Sequence, residues 1–257
     1  MARPPTTARP PFTVRDIVVG SLTLLWALRD ELLRIGFIPL ALSFVASAVL
    51  GAWPTLLTHL VLLIVGIALM MIFSVAWLRR LLLGPDTSGP AFALHWTRRE
   101  KTYLQRWLLV NIGPFLGLGL AIGLVMLLSA DAFGALLGTL LFVGALLAMV
   151  FVQARLSLVL PATAVDHDYR LAQAWADTAH CGAVLAASVF LVELPFAAVI
   201  LGMGWFGERT SLGQALPYTL ALIESILGYL GVAASLTVYA LAFRKCSGWE
   251  RRQLKPV

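Results

Sequence analysis

The stretch Ala132-Phe-Gly-Ala-Leu-Leu-Gly-Thr-Leu-Leu-Phe-Val-Gly-Ala-Leu-Leu-Ala-Met-Val-Phe-Val-Gln-Ala154, closed by Arg155, runs 23 residues without a charge. As a helix rising 1.5 Å per residue it reaches roughly 33 Å, enough to cross a hydrocarbon core of about 30 Å. A run this long and this apolar reads as a membrane span. Past the arginine, Leu156-Ser-Leu-Val-Leu-Pro161-Ala-Thr-Ala-Val165 carries no charge either and is broken by Pro161. The chain then turns at Asp166-His167-Asp168 into a short amphipathic segment, Tyr169-Arg170-Leu171-Ala-Gln-Ala-Trp175-Ala-Asp-Thr178.

The whole chain has the same character. Of its 257 residues, 60% are hydrophobic and 12% charged, where soluble domains carry about 25% charged residues. The mean hydropathy is +0.89. A net charge of +6 would suggest nucleic acid in a soluble protein. Here the cations fall between apolar runs, which makes anionic lipid headgroups the natural partner and excludes nucleic acid. Two cysteines, Cys181 and Cys246, fall on the side expected to face the reducing cytoplasm, so no disulfide is expected. Residues 1–12 are rich in Pro and Arg with no apolar core, and read as a disordered cytoplasmic tail rather than a signal peptide.

Working outward, spans are expected at 36–53, 56–78, 107–129, 132–154, 182–206 and 216–243. Residues 13–35 come before them, with Val14, Val18, Ser21, Leu25, Leu28, Leu32 and Ile35 on one helical stripe and six charges off it. The uncharged run 17–28 is short of the ~20 residues a span needs, so this segment is expected to lie along the headgroups. Residues 169–181 are expected to do the same, with Asp168 as the helix cap. Residues 81–106 read as a polar loop with turn signals at Gly84-Pro85-Asp86 and Ser88-Gly89-Pro90 and a basic cluster after them. Tight turns are expected at Pro54 and Asp131, and an outer loop at 207–215. The pairs Gly113/Gly117 and Gly119/Gly123 have the spacing that lets another helix backbone approach closely, although glycine is also simply frequent in such helices.

Orientation follows from the charges. Of 19 Lys and Arg residues, only Arg209 falls on the side of the outer turns. The positive-inside bias then places both termini in the cytoplasm, with 244–257 as a basic cytoplasmic tail. The expected fold is all-α: a polytopic membrane domain over 13–243, with six transmembrane helices in three hairpins plus interfacial helices. A weak threefold repetition runs through it, each hairpin having a polar lead-in and a proline in its first span (Pro39, Pro114, Pro195).

The run Arg155-Leu-Ser-Leu-Val-Leu-Pro161-Ala, followed by Leu171-Ala-Gln-Ala-Trp175-Ala-Asp-Thr178, resembles a family of six-span proteins of Gram-negative bacteria without an assigned activity. These are similar to the membrane domain fused to some bacterial glycerophosphodiester phosphodiesterases. The resemblance covers most of 13–243 and implies an inner-membrane helical domain; nothing here matches the soluble catalytic barrel of those enzymes.

Few residues stand out as candidate sites. Glu193 lies about ten residues into its span, roughly 15 Å deep. Buried carboxylates of this kind face a bundle interior or a water-filled cavity, and Pro195 would open the helix beside it. A proton or substrate site is one reading of this pair, and a protonated packing residue is the other. Glu224 falls nearer the outer surface and is expected to reach for headgroups or for a polar neighbour such as His59. Arg155 ends its span as an anchor, and with Arg79, Arg80, Arg98 and Arg99 it is a candidate headgroup contact. Asp166-His167-Asp168 lacks the convergent partners of a metal site. The histidines are scattered, and no phosphate loop or dinucleotide motif is present, so no catalytic residue, metal or cofactor is assigned. The function expected is a non-enzymatic scaffold, assembly or lipid-associated factor of the inner membrane, with lipids and other membrane proteins as partners. The alternative is a transporter of a small or amphipathic substrate centred on Glu193 and Pro195.

Overall fold

The computed structural model of the chain describes residues 13–53, 55–84, 96–128, 132–210, 216–247 and 249. Its helices are α1 (Val14–Ala27), α2 (Arg29–Ala52), α3 (Leu56–Leu83), α4 (Arg98–Leu128), α5 (Ala132–Leu156), α6 (Val159–Ala164), α7 (Leu171–Asp177), α8 (Gly182–Arg209) and α9 (Pro217–Cys246), with no strand among the described residues. Six of the helical segments are long and apolar enough to cross a membrane, so the fold is all-α and polytopic, with the number of spans the sequence implies. The expected tail at 1–12, the turn signals at 54, 85–90 and 131, residues 211–215 of the expected outer loop, and 248 and 250–257 of the expected tail 244–257 lie outside the described residues; Arg244 and Lys245 of that tail belong instead to the last turn of α9.

Local chemistry sets the helix ends. Thr13 caps α1 by accepting the Asp16 N–H at 3.2 Å, and Thr55 caps α3 by accepting that of Thr58 at 3.1 Å. Thr97 and Glu100 form a reciprocal box at the start of α4: the Arg99 N–H bonds the Thr97 hydroxyl, and the Thr97 N–H bonds the Glu100 carboxylate. Gly84, at φ 86°, closes α3 in a conformation that disfavours a Cβ. Pro217 opens α9, where its missing N–H costs nothing.

The three hairpins α2–α3, α4–α5 and α8–α9 are the most extensive pairings, as the sequence implies. They are unequal. In the most apolar window of α9, 61% of residues are buried, against 6–33% in the other five spans, so α9 is the axis of the bundle. It packs on α1, α2, α3 and α8. The core gathers at one end, where Trp77, Tyr103, Leu158, Tyr169, Leu185 and Phe243 are all buried. There the Trp77 indole N–H reaches the Ala233 carbonyl and the Thr237 hydroxyl, each at 3.1 Å. The α4–α5 hairpin leaves most of its apolar surface exposed, as a helix facing lipid or another protein would.

Several expected boundaries are corrected. Residues 13–35 are not one helix: the chain breaks at Leu28, and Arg29, Asp30, Glu31 and Arg34 belong to the first turns of the spanning helix α2. Of the expected stripe, Ser21, Leu32 and Ile35 are buried, and Ile17, which lies beside the stripe, is buried with them against the bundle. Arg98, Arg99, Lys101 and Arg106 lie on α4 and not in a loop, and α3 continues past Arg79 and Arg80 to Leu83. Arg209 is in the last turn of α8. The reason is common to all of these. Counting uncharged residues measures the hydrocarbon core, whereas helices such as α4, roughly 46 Å for 31 residues, extend beyond it and carry their charges there.

The segment after Arg155 is also different. Every residue of α6 is buried, as are Tyr169 and Cys181, so α6 and the two ends of 169–181 pack into the bundle end, while α7 between them buries only Ala174. Only Leu171–Asp177 is helical, and Arg170 takes the cap position expected of Asp168. Among the described residues the second hairpin has no separate lead-in helix, its lead-in being the start of α4, which weakens the threefold repetition. A Cβ at Gly113, Gly117, Gly119 or Gly123 would meet nothing within 4 Å, so no helix among the described residues approaches there. The close approach of α4 and α5 is at Gly138, where a Cβ would stand 3.3 Å from the Val125 backbone.

Candidate functional site

At the core-bearing end of the bundle, α4 and the connection from α6 to α7 enclose a polar pocket of ≈440 Å³. Arg98, Arg99, Thr102 and Arg106 line it from α4, and Thr163 and residues 166–168 line it from the connection. Asp166 organises this wall. It sits at φ 56°, in the left-handed region that Asp tolerates better than most residues. The Asp166 N–H bonds the Thr163 carbonyl at 3.1 Å, and the His167 N–H bonds the Ala162 carbonyl at 2.9 Å. That pair of bonds is the Schellman closure of a helix end, here made with Asp where glycine is usual.

The same residue gathers the arginines. Arg99 donates to both Asp166 oxygens, with Nε at 3.0 Å from each and Nη2 at 2.7 Å from Oδ2. Arg79 stands 3.5 Å from Asp166 Oδ2 and donates to the Ala164 carbonyl at 3.1 Å. The hydrogen bond from Arg99, with the charges of Arg99 and Arg79, holds the Asp166 carboxyl below its ordinary range in spite of partial burial. Arg106 donates to the Tyr169 carbonyl at 2.5 Å, and the Tyr169 hydroxyl donates to Asp177 at 2.8 Å. Burial, followed by that bond to Asp177, pushes the Tyr169 phenol up, so it remains a neutral donor. Arg98 is exposed at the first turn of α4 and pairs with no carboxylate among the described residues. The lining therefore holds one arginine more than it holds aspartates, with an uncommitted guanidinium at its edge.

The other expected headgroup arginines are used internally. Arg80 forms a two-pronged ion pair with Glu31, joining α3 to the start of α2. Arg155 turns back onto the chain: its Nε donates to the Thr178 hydroxyl at 3.1 Å, its Nη2 donates to the Trp175 carbonyl at 2.5 Å, and its guanidinium lies over the Trp175 ring. His167 sits among aromatic rings, 5.2 Å from Trp249 and 6.3 Å from Phe243.

The expected intramembrane site is rearranged. Glu193 is exposed along part of its side chain on α8, but its carboxylate lies against α9, where it accepts the hydroxyl of the buried Ser235 at 2.6 Å. α8 runs without interruption through Pro195, since neighbouring turns hold a helix that has lost one bond. His59 does not pair with Glu224; its Nδ1 meets the Thr55 carbonyl at 2.8 Å. Glu224 is half-buried near the start of α9, and its neighbour Ser225, with His59, lines an apolar cleft of ≈600 Å³ between α2, α3 and α9. That cleft is crossed by a hydrogen bond of 2.9 Å between Ser43 and Tyr229, an apolar space with a polar rung that sequence spacing did not reveal.

The pocket residues that sequence reading missed were Thr97, Thr102, Arg106 and the αL role of Asp166. A signal existed for the first: Thr97-Arg-Arg-Glu100 has the spacing of a capping box. Compared with protein-family models, with curated proteins and with solved structures, the chain matches none.

Proposed function

We propose that the protein is a non-enzymatic component of the bacterial inner membrane, with both termini in the cytoplasm, that associates with anionic lipid. The phosphate of a headgroup occupies the pocket of Arg98, Arg99, Thr102 and Arg106. The observation that carries this is Arg98: an exposed cation with no carboxylate partner among the described residues, beside threonine hydroxyls and the N-terminal turn of a 31-residue helix. Helix N-termini favour anions, and basic pockets at the cytoplasmic ends of spans suit lipid phosphates. The length of α4 beyond a hydrocarbon core supports placing this turn at headgroup depth. The exposed α4–α5 hairpin adds a surface on which a scaffold could hold a membrane partner.

The test is native mass spectrometry of detergent-solubilised protein incubated with equal phosphatidylglycerol and phosphatidylcholine. The protein should retain phosphatidylglycerol preferentially, and Arg98→Gln with Thr102→Val should reduce that preference several-fold while phosphatidylcholine retention stays constant. Equal retention of the two lipids, or a preference untouched by the substitutions, would count against the proposal. Excess inorganic phosphate should compete only if the headgroup phosphate is the recognised group. The transport reading finds less support, because the Glu193 carboxylate is taken up by a hydrogen bond to Ser235 and α8 is unbroken at Pro195.

A further inference from the structure

We propose that His180, Cys181 and Cys246 form a binding site for one soft divalent cation of the zinc class, which ties the end of α9 to the start of α8. Cys181 immediately precedes α8 and Cys246 is the last residue of α9, 65 positions away, so nothing in their spacing marks them as a pair. The fold brings their sulfurs to 2.7 Å, and the ligand atoms of both cysteines and of His180 all lie within 4.8 Å of one another. Neither cysteine is in a disulfide, and both are buried while His180 is exposed.

Thiol hydrogen is a weak donor, so two thiols gain little from being pressed together in a core. Two thiolates and an imidazole bound to one cation gain a great deal. Zinc holds sulfur at about 2.3 Å and nitrogen at about 2.0–2.1 Å in a tetrahedron, which places two sulfurs about 3.8 Å apart. The sulfurs would therefore part by about 1 Å, a side-chain adjustment that leaves the helices where they are. Soft sulfur with imidazole selects zinc over the hard cations magnesium and calcium. The exposed side of His180 leaves the fourth position to water. Binding displaces the thiol protons, so each metal bound releases up to two protons to solvent.

The experiment uses detergent-purified full-length protein, reduced, treated with chelator and then titrated with Zn2+ or with Co2+ as a spectroscopic probe. One metal per chain is expected, and cobalt should show sulfur-to-metal charge transfer with tetrahedral visible bands. Cys181→Ala with Cys246→Ala should abolish both signals. His180→Ala, at an exposed position that leaves packing intact, should weaken binding by at least about tenfold, the loss typical of removing even an outer-sphere partner. The His180 variant keeps the test decisive if the double cysteine variant misfolds. Binding that is unchanged in His180→Ala or survives the double substitution overturns the site. Reduced protein that takes up no metal overturns it too, as does protein isolated under reductant that carries a Cys181–Cys246 disulfide.

Discussion

The guanidinium of Arg155 lies 3.6 Å from the ring centroid of Trp175, while the same side chain donates to the Trp175 carbonyl and to the Thr178 hydroxyl. The last arginine of a span thus holds the helix that precedes the next span. Hydrogen bonds fix its planar fork in two directions, and the ring takes its face, a combination that an ammonium cannot reproduce. Arg155→Lys should therefore destabilise the protein almost as much as Arg155→Ala, by about 1–2 kcal/mol, as read by thermal unfolding in detergent. If lysine restored wild-type stability, the residue would be acting by charge alone, as an ordinary interfacial anchor.

Gly182 belongs to the same arrangement. A Cβ at this position would stand 2.9 Å from Arg155 Cδ and 3.0 Å from its Cγ. That part of the side chain cannot swing away without breaking the contacts to α7. Gly182→Ala should cost about 1–3 kcal/mol, the usual range for overpacking. In an Arg155→Ala background the same change should cost nearly nothing, and a double-mutant cycle with no coupling would disprove the contact.

This pair shows what a sequence can and cannot supply. The hydrophobic runs made six spans and three hairpins legible because length and lack of charge are local properties, and the lipid solvent enforces both. What Arg155 touches is not local. Thr178 is 23 residues away and Asp166 is 67 from Arg99, so the arginines read as headgroup contacts when four of them in fact have protein partners. The partner of Glu193 was hidden for a related reason: depth follows from counting residues, but direction around the helix depends on which neighbours arrive. The low amphipathicity of these helices gives no stripe by which to judge it.

Asp166 should separate its two roles under substitution. Asp166→Gly keeps the left-handed turn and removes the charge, whereas Asp166→Ala also strains the backbone by roughly 1–2 kcal/mol. Because the carboxylate is half exposed, the pairing with Arg99 should contribute under about 1 kcal/mol. Alanine should thus be clearly worse than glycine. The folded carboxyl lies below its ordinary value of 3.8, so its contribution is complete above that pH and is lost as pH falls through the lower folded value. Stability of wild type and Asp166→Gly should converge on acidification below about pH 4, and a gap that widens there would contradict the ion pair.

Topology is open to direct measurement. With Cys181 and Cys246 replaced by alanine, Arg209→Cys should react with a membrane-impermeant maleimide in intact cells. Arg15→Cys, exposed on α1, should react only after the membrane is opened. Labelling of both positions from one side would place the ends of α1 and α8 together and overturn the assigned orientation.

Glu193 offers the sharpest choice between the structural and transport readings. Its carboxylate accepts the Ser235 hydroxyl at 2.6 Å, and Ser235 has a second acceptor in the Gly231 carbonyl at 3.1 Å. Glutamine keeps an acceptor oxygen at the same place, so Glu193→Gln should preserve the α8–α9 contact, the unfolding temperature and lipid retention. Glu193→Ala removes the acceptor, but Ser235 can turn fully to its own helix, so the cost should stay at or below about 1 kcal/mol. Glu193→Leu should also be tolerable, because an apolar side chain suits an apolar belt better than a carboxylate does. A residue that carries protons or holds a cation behaves differently. There the glutamine variant would insert and fold normally yet lose all cellular function, since the titrating group is gone. Full complementation by Glu193→Gln supports the packing role, and normal insertion with loss of function would restore the transport reading.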